Sequence, residues 1–245
     1  MNQPRNLEKA ALRGEPSYVW RAGQQRRFEM ILKAAEERTS GIGLVDGCGV
    51  GMYLHHLQGI FSTIIGLDIE YERLLEARIQ GKYLVNGRGE ALPIPTNSIH
   101  FVLSHEVLEH VDKDRLAITE IVRVLQPGGR LVLFCPNRGY PFETHGFYLR
   151  GKYHFGNIPL INYLPRAWSD RFAPHVNVYS RKDLHRLFEG LPIKIIHRST
   201  IFGAYDNIIA RRQKLGTLLK WLLQNLEKTP LQRLGLSHFW VVEKL

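Results

Sequence analysis

Only two cysteines, Cys48 and Cys135, occur among 245 residues. Neither has cysteine or histidine neighbours at ligand spacing, which excludes a disulfide framework and a zinc site; both read as small buried residues in a reducing cytosol, and no metal is expected. Long apolar runs are missing too, and nothing approaches the roughly 18 consecutive apolar residues of a spanning helix. The first sixteen residues, MNQPRNLEKAALRGEP, hold no apolar stretch of signal-peptide length. The expected location is therefore cytoplasmic, with attachment to a membrane surface left open. Acid is scarce at the end of the chain: residues 151–245 carry 15 Lys and Arg against 6 Asp and Glu, so most of the net charge of +10 lies there. Such a surface attracts phosphorylated substrates, nucleic acid or anionic lipid, yet no appended RNA-binding module and no NPPY-type motif for flipped-base amines accompanies it.

What the sequence does contain is concentrated in residues 44–68, LVDGCGVGMYLHHLQGIFSTIIGLD. An apolar approach meets Asp46 and glycines at 47, 49 and 51, then a helix-compatible segment, then a second apolar run ending in Asp68. Glycine lets backbone pass tightly beside a ligand, and in an open α/β sheet ligands sit beyond the carboxyl ends of the strands. A carboxylate closing the second strand can accept from both hydroxyls of a ribose. The spacing is GxGxG, with Met at position 52, and not the dinucleotide fingerprint GxGxxG. Asp46 at the head of the turn repels a pyrophosphate and suits a cationic nucleoside without phosphate, of which S-adenosylmethionine is an example.

The pattern along the chain is strand alternating with helix. A helix is predicted over 19–38, with Phe28, Ile31, Leu32 and Ala35 on one face. Strands are predicted at 42–46, 62–68, 82–85, 99–104 and 130–135, and helices at 52–58, 70–80 (Leu74, Leu75 and Ile79 inward) and 112–125 (Leu116, Ala117, Ile121 and Val124 among the inward residues). QPGG stops the last of these helices. Alternation of this kind predicts a parallel sheet with right-handed crossovers.

Taken in order, VDGCGVG, IIGLDIE, GEALPIPTNSIHFVLSHEVLEHV and EIVRVLQPGGRLVLFCPN resemble the motifs of class I S-adenosylmethionine-dependent methyltransferases, especially the small-molecule branch that includes the ubiquinone and menaquinone enzymes. The resemblance covers roughly residues 42–137. It implies a Rossmann-like α/β fold: a seven-stranded, mostly parallel sheet with an antiparallel last strand and helices on both faces. The cofactor implied is S-adenosyl-L-methionine. Asp46, Gly47, Cys48, Gly49 and Gly51 would flank its methionine part, Asp68 its ribose and Ile69 its adenine face; Ser104 and His105 would floor the sulfonium, and Gly89 and Glu90 would meet the adenine edge. Relatives usually read GDAEALPF where this chain reads GRGEALPI, which puts Arg88 at a position that normally accepts from the adenine amino group. Arginine has donors only, so Glu90, Asn86 or backbone atoms must accept instead.

One domain over 1–245 is expected, divided into a helical cap (1–40), a cofactor core (41–137), a lid inserted after the fifth strand (138–180) and a C-terminal remainder (181–245). Of 25 aromatic residues, 16 lie at or after Tyr140, which suits a substrate wall above the cofactor. His145 and then His175 are the candidate bases, because histidine titrates near neutral pH, with Glu143 and Tyr140 as positioning partners. Ser180 and Asp183 form a capping-box signature for a helix over 180–189. A sixth strand at 192–198, a leucine-striped helix over 206–228 and a seventh strand at 238–243 complete the expectation. The leucine stripe is read as packing on the sheet, with an anionic membrane surface as the alternative. Transfer to an oxygen or carbon of a small-molecule, glycan or lipid-linked acceptor leads, the acceptor's charge and the oligomeric state being open. A nucleic-acid methyltransferase, a nicotinamide-dependent oxidoreductase and a non-catalytic cofactor-binding module are the competing readings.

Overall fold

The computed structural model describes residues 18–144, 146–149, 152–154, 156, 158–165 and 176–245. Seven strands make the main sheet: β1 (Ile42–Asp46), β2 (Thr63–Asp68), β3 (Tyr83–Asn86), β4 (Ile99–His105), β5 (Leu125–Pro136), β6 (Ile193–Ile201) and β7 (Ser237–Lys244). Their order is β6-β7-β5-β4-β1-β2-β3. Strands β1 to β5 pair in parallel, and β7 lies antiparallel between β5 and β6. The chain leaves β1 toward β2 on one side and meets β4 on the other, which opens a crevice beyond their carboxyl ends.

Side chains alternate across the pleat, so each strand feeds two cores. Leu44, Val102, Leu131, Leu133 and Trp240 face α4 (Asp114–Val124) and α5 (Arg181–Phe188). Val45, Phe101, Leu103, Val132 and Phe134 face α1 (Ala22–Ala35), α2 (Met52–Leu57) and α3 (Tyr71–Ala77). Burial of both faces accounts for the near-continuous apolar runs in β4 and β5. In α1, Ile31 and Ala35 are buried and Phe28 and Leu32 pack against them, the stripe expected of that helix. At the start of α5 the Ser180 hydroxyl accepts from the Asp183 N–H at 3.2 Å while the Asp183 carboxylate accepts from the Ser180 N–H at 2.9 Å, a reciprocal cap.

Several expectations need correction. Helix α3 has only seven residues and buries one row, so Leu74 is inside while Leu75 is exposed and Ile79, beyond the helix end, is 87% exposed. On α4 the buried row is Ala117, Ile118, Ile121, Val122 and Val124, which leaves Leu116 outside. Strand β5 begins at Leu125, directly after α4, so the QPGG stretch lies within it. The predicted 206–228 helix breaks at Arg212, whose backbone (φ −144°, ψ 79°) is not helical, into α6 (Asp206–Arg211) and α7 (Gln213–Leu226). Of α7 only Gly216 is fully buried; Leu219, Leu223 and Leu226 are half-buried, and Leu215, Leu218 and Leu222 are exposed and pack on neither face of the sheet.

After β5 the described residues form two short ribbons, Phe142–Glu143 with Ile158–Pro159 and Phe147–Leu149 with Lys152–His154. Side chains hold the first one down: the Asn162 amide donates to the Tyr140 and Phe142 carbonyls, and Arg138 donates to those of Asn162 and Leu164.

Candidate functional site

The turn after β1 depends on glycine for two separate reasons. Gly47, Gly49 and Gly51 all have positive φ, at 65°, 54° and 87°, where a Cβ is disfavoured. A Cβ on Gly47 would also lie 2.3 Å from a methyl of Val107, and one on Gly51 would press on Ala77 and Gln80 of the α3 segment. Gly49 differs, because nothing lies within 4 Å of where its Cβ would be. It is an open cradle at the strand tips.

Asp68 fastens that cradle from the neighbouring strand. Its buried carboxylate accepts from the Gly49 N–H at 2.8 Å and the Glu70 N–H at 2.9 Å, one on each oxygen. Each carboxylate oxygen retains a further acceptor site for a ligand hydroxyl. On the face of the sheet opposite His105, Asp46 accepts from the Ser104 hydroxyl at 3.2 Å, and Gly89 stands beside it. Burial, moderated by that hydrogen bond, pushes the Asp46 carboxyl up to about 6. The Asn86 amide donates to the carbonyls of Asp68 and Ile69 and so ties the tips of β2 and β3. Glu90 accepts from the Asp112 N–H, and Arg88 is exposed. Burial raises the Cys48 and Cys135 thiols, which stay protonated.

A cavity of 680 Å³ opens above the turn, within the range of small-molecule sites. Among the expected cofactor residues, Gly47, Cys48, Gly49 and His105 line it; Asp68 supports the Gly49 wall, and Asp46, Gly51, Ile69, Gly89, Glu90 and Ser104 lie outside the lining. His145 and His175 lie outside the described residues.

A helical cap was expected over this region, but not the side chains that form the opposite wall. Arg27 of α1 reaches over the Phe134 ring and donates to Nε2 of His105 at 2.9 Å, with Glu106 3.4 Å away. Since arginine only donates, that nitrogen is the acceptor and the ring proton sits on Nδ1. Burial, then the Arg27 charge, drives the imidazole down to about 3, so it is neutral at neutral pH. Glu106, at the tip of β4, adopts φ 55°, a left-handed conformation costly for a residue with a Cβ. Its carboxylate also accepts from the Ser237 hydroxyl. Beside it Glu109 is 1% exposed; burial and then the Glu106 charge raise its carboxyl well above the usual range, so it stays protonated. Tyr140 and Tyr205, themselves hydrogen-bonded, close the side next to α6. One signal for these glutamates was in the sequence, since SHEVLEH is the first segment beyond a central strand tip. Arg27 gave none.

A family profile described as a methyltransferase domain matches residues 44–133. A malonyl-[acyl-carrier protein] O-methyltransferase of Buchnera aphidicola is 30% identical over 195 residues, which cover 77% of this chain and 79% of that enzyme. The chain belongs to the S-adenosylmethionine-dependent methyltransferases. A Mycolicibacterium smegmatis protein named as a probable member of this methyltransferase class is 30% identical over 46% of this chain and 45% of its own length. The chain spans about half the length of several such curated methyltransferases. The crystal structure of an S-adenosylmethionine-dependent methyltransferase from Mesorhizobium loti shares the fold, with a TM-score of 0.63 at 18% identity over 91% of this chain and 98% of that one. The seven-stranded sheet and S-adenosylmethionine as the family's cofactor thus agree with what the motifs implied.

Proposed function

We propose that this protein methylates an oxygen or carbon of a small acceptor, using S-adenosylmethionine bound across the tips of β1, β2 and β4. The observation that carries the reading is the Gly49–Asp68 junction beneath the cavity: an open glycine cradle fixed by a carboxylate with acceptor capacity to spare. When bound, the cofactor supplies a methyl carbon activated by a sulfonium. Asp68 would accept from the ribose hydroxyls, Ile69 would lie on the adenine face, and Gly89 and Glu90 would border its edge. Gly47, Cys48, Gly49 and Gly51 would follow the methionine part. Asp46, across Ser104, places negative charge near a cationic ligand, and neutral His105 adds no opposing charge.

In-line methyl transfer needs alignment and exclusion of water more than it needs a strong base. A hydroxyl acceptor benefits from a proton acceptor in reach, and the cavity wall offers the Glu106 carboxylate, with the buried, protonated Glu109 beside it. His145, with His175 second, is the base proposed for the lid segment. Arg21, exposed at the start of α1 and lining the cavity, suits an acceptor bearing negative charge, whereas Arg26 is paired with Glu227 and Arg27 with His105 and Glu106; the reading is in keeping with relatives that act on malonyl-[acyl-carrier protein].

Calorimetry with S-adenosylhomocysteine is the test. Wild-type protein should bind it, and Asp68→Ala should weaken binding about a hundredfold, the loss of two hydrogen bonds to a charged acceptor. Binding of NADH in its place, or equal affinity in the variant, would overturn the assignment.

A further inference from the structure

The part of the molecule with no assigned work is α7. Its inner row, Leu219, Leu223 and Leu226, is half-buried, but the outer apolar row lies in solvent: Leu215 is 52% exposed, Leu218 53%, Leu222 47% and Trp221 62%. Positions 215, 218 and 222 share one face of a helix. Leu231 and Leu234, on the short helical segment that follows (Pro230–Leu234), are exposed as well.

The charges around this stripe are of one sign. Arg211, Arg212, Lys214, Lys228 and Arg233 are exposed. The only two acids between 206 and 234 are turned toward the body of the protein, where the Glu227 carboxylate pairs with Arg26 and accepts from the Phe202 N–H, and Asp206 accepts from the Gly23 N–H. The outward surface is therefore leucine, tryptophan and cation. An apolar stripe with a tryptophan, bordered by Lys and Arg, is the composition of helices that lie in the boundary of an anionic bilayer. No helix among the described residues is long and apolar enough to cross one.

The stripe is also continuous with the cavity. Ile208 of α6, an exposed residue, lines the cavity mouth together with Tyr205 and Asn207, and α6 packs on α7 where Gly216 meets Ile209.

We propose that α7 and the Pro230–Leu234 segment dock the protein on an anionic lipid surface, with the mouth of the cavity beside the bilayer. Leu215, Leu218, Trp221 and Leu222 enter the headgroup boundary, and Arg211, Arg212 and Lys214 meet lipid phosphates. Docking in this way is independent of methyl transfer.

Flotation with vesicles tests it directly, using phosphatidylcholine alone and phosphatidylcholine mixed with phosphatidylglycerol. The wild-type protein should float with the mixed vesicles and not with phosphatidylcholine alone, and added salt should release it. Lys214→Gln should weaken partitioning about fivefold, the effect of one cation near an anionic leaflet. Leu218→Glu, a change at an exposed position, should abolish flotation while circular dichroism and S-adenosylhomocysteine binding stay as in wild type. Failure to float with the anionic vesicles, or flotation unaltered by Leu218→Glu, would overturn the proposal. So would a stable dimer in sedimentation that Leu218→Glu converts to monomer, because a second copy would then cover the stripe.

Discussion

At the scale of single residues, Asp46 joins stability to ligand binding. Its carboxyl titrates near 6 in the folded protein against 3.8 ordinarily. Holding it ionised at pH 7 costs the free fold about 3 kcal/mol. A cationic ligand favours the ionised form, so association with S-adenosylmethionine should strengthen about tenfold per pH unit up to pH 6 and level off above it. Calorimetry across that range should show the slope in wild type and not in Asp46→Asn, which should also be the more stable protein at pH 7. A less stable variant that kept the slope would contradict this account. The turn was legible in the sequence because glycine spacing and the flanking acids are local features. Arg27 was not, and Glu106 and Glu109 were marked only by their place beyond a strand tip, because the meeting of the three depends on how α1 crosses the tip of β4. The left-handed backbone of Glu106 leaves no trace in residue type.

At the scale of elements, apolar periodicity reveals that a helix has two faces but not what covers the apolar one. The stripes of α1 and α7 look alike in sequence; the first packs on Phe134 and its neighbours, and the second meets solvent. Caps read better, because the Ser180–Asp183 reciprocity involves residues three apart. Gly216 shows the limit of propensity. Replacing an exposed mid-helix glycine by alanine usually stabilises by about 1 kcal/mol. A Cβ here would stand 2.6 Å from the Ile209 nitrogen, in backbone that cannot swing aside. Gly216→Ala should therefore lower the melting temperature by separating α6 from α7, while Thr217→Ala, at an exposed position on the same helix, should leave it the same or raise it. A higher melting temperature for Gly216→Ala would mean that the two helices are not in tight contact.

For the whole molecule, buried titratable groups of opposite kind set the response to acid. Burial lowers His105 to about 3 and His238 to about 4, and it lowers the less buried His56, His185 and His197 in the same direction. Below pH 6.5 the unfolded chain binds those protons and the folded protein does not, so stability falls, by up to about 1.4 kcal/mol per pH unit for each of the buried His105 and His238 and by less for the other three. Asp46 and Glu109 act the other way, since their raised carboxyls bind protons in the folded state before the unfolded one does. Between about pH 6 and 4.5 the two carboxyls offset His105 and His238, and only the three partly exposed histidines tilt the balance. Below about 4.5 Glu109 has no more to give, and below about 3.8 neither has Asp46, while His105 still resists its proton and Glu120 begins to lose its pairing with Arg123. The stability profile should thus have a maximum near pH 6, a shallow fall to about 4.5 and a steep one beneath. Urea midpoints measured across pH 4 to 7 check this shape. Asp46→Asn removes one of the two offsetting carboxyls and should steepen the shallow limb by about 1.4 kcal/mol per pH unit. Parallel limbs for variant and wild type would place the proton of the free protein elsewhere than on the carboxyl behind the glycine turn.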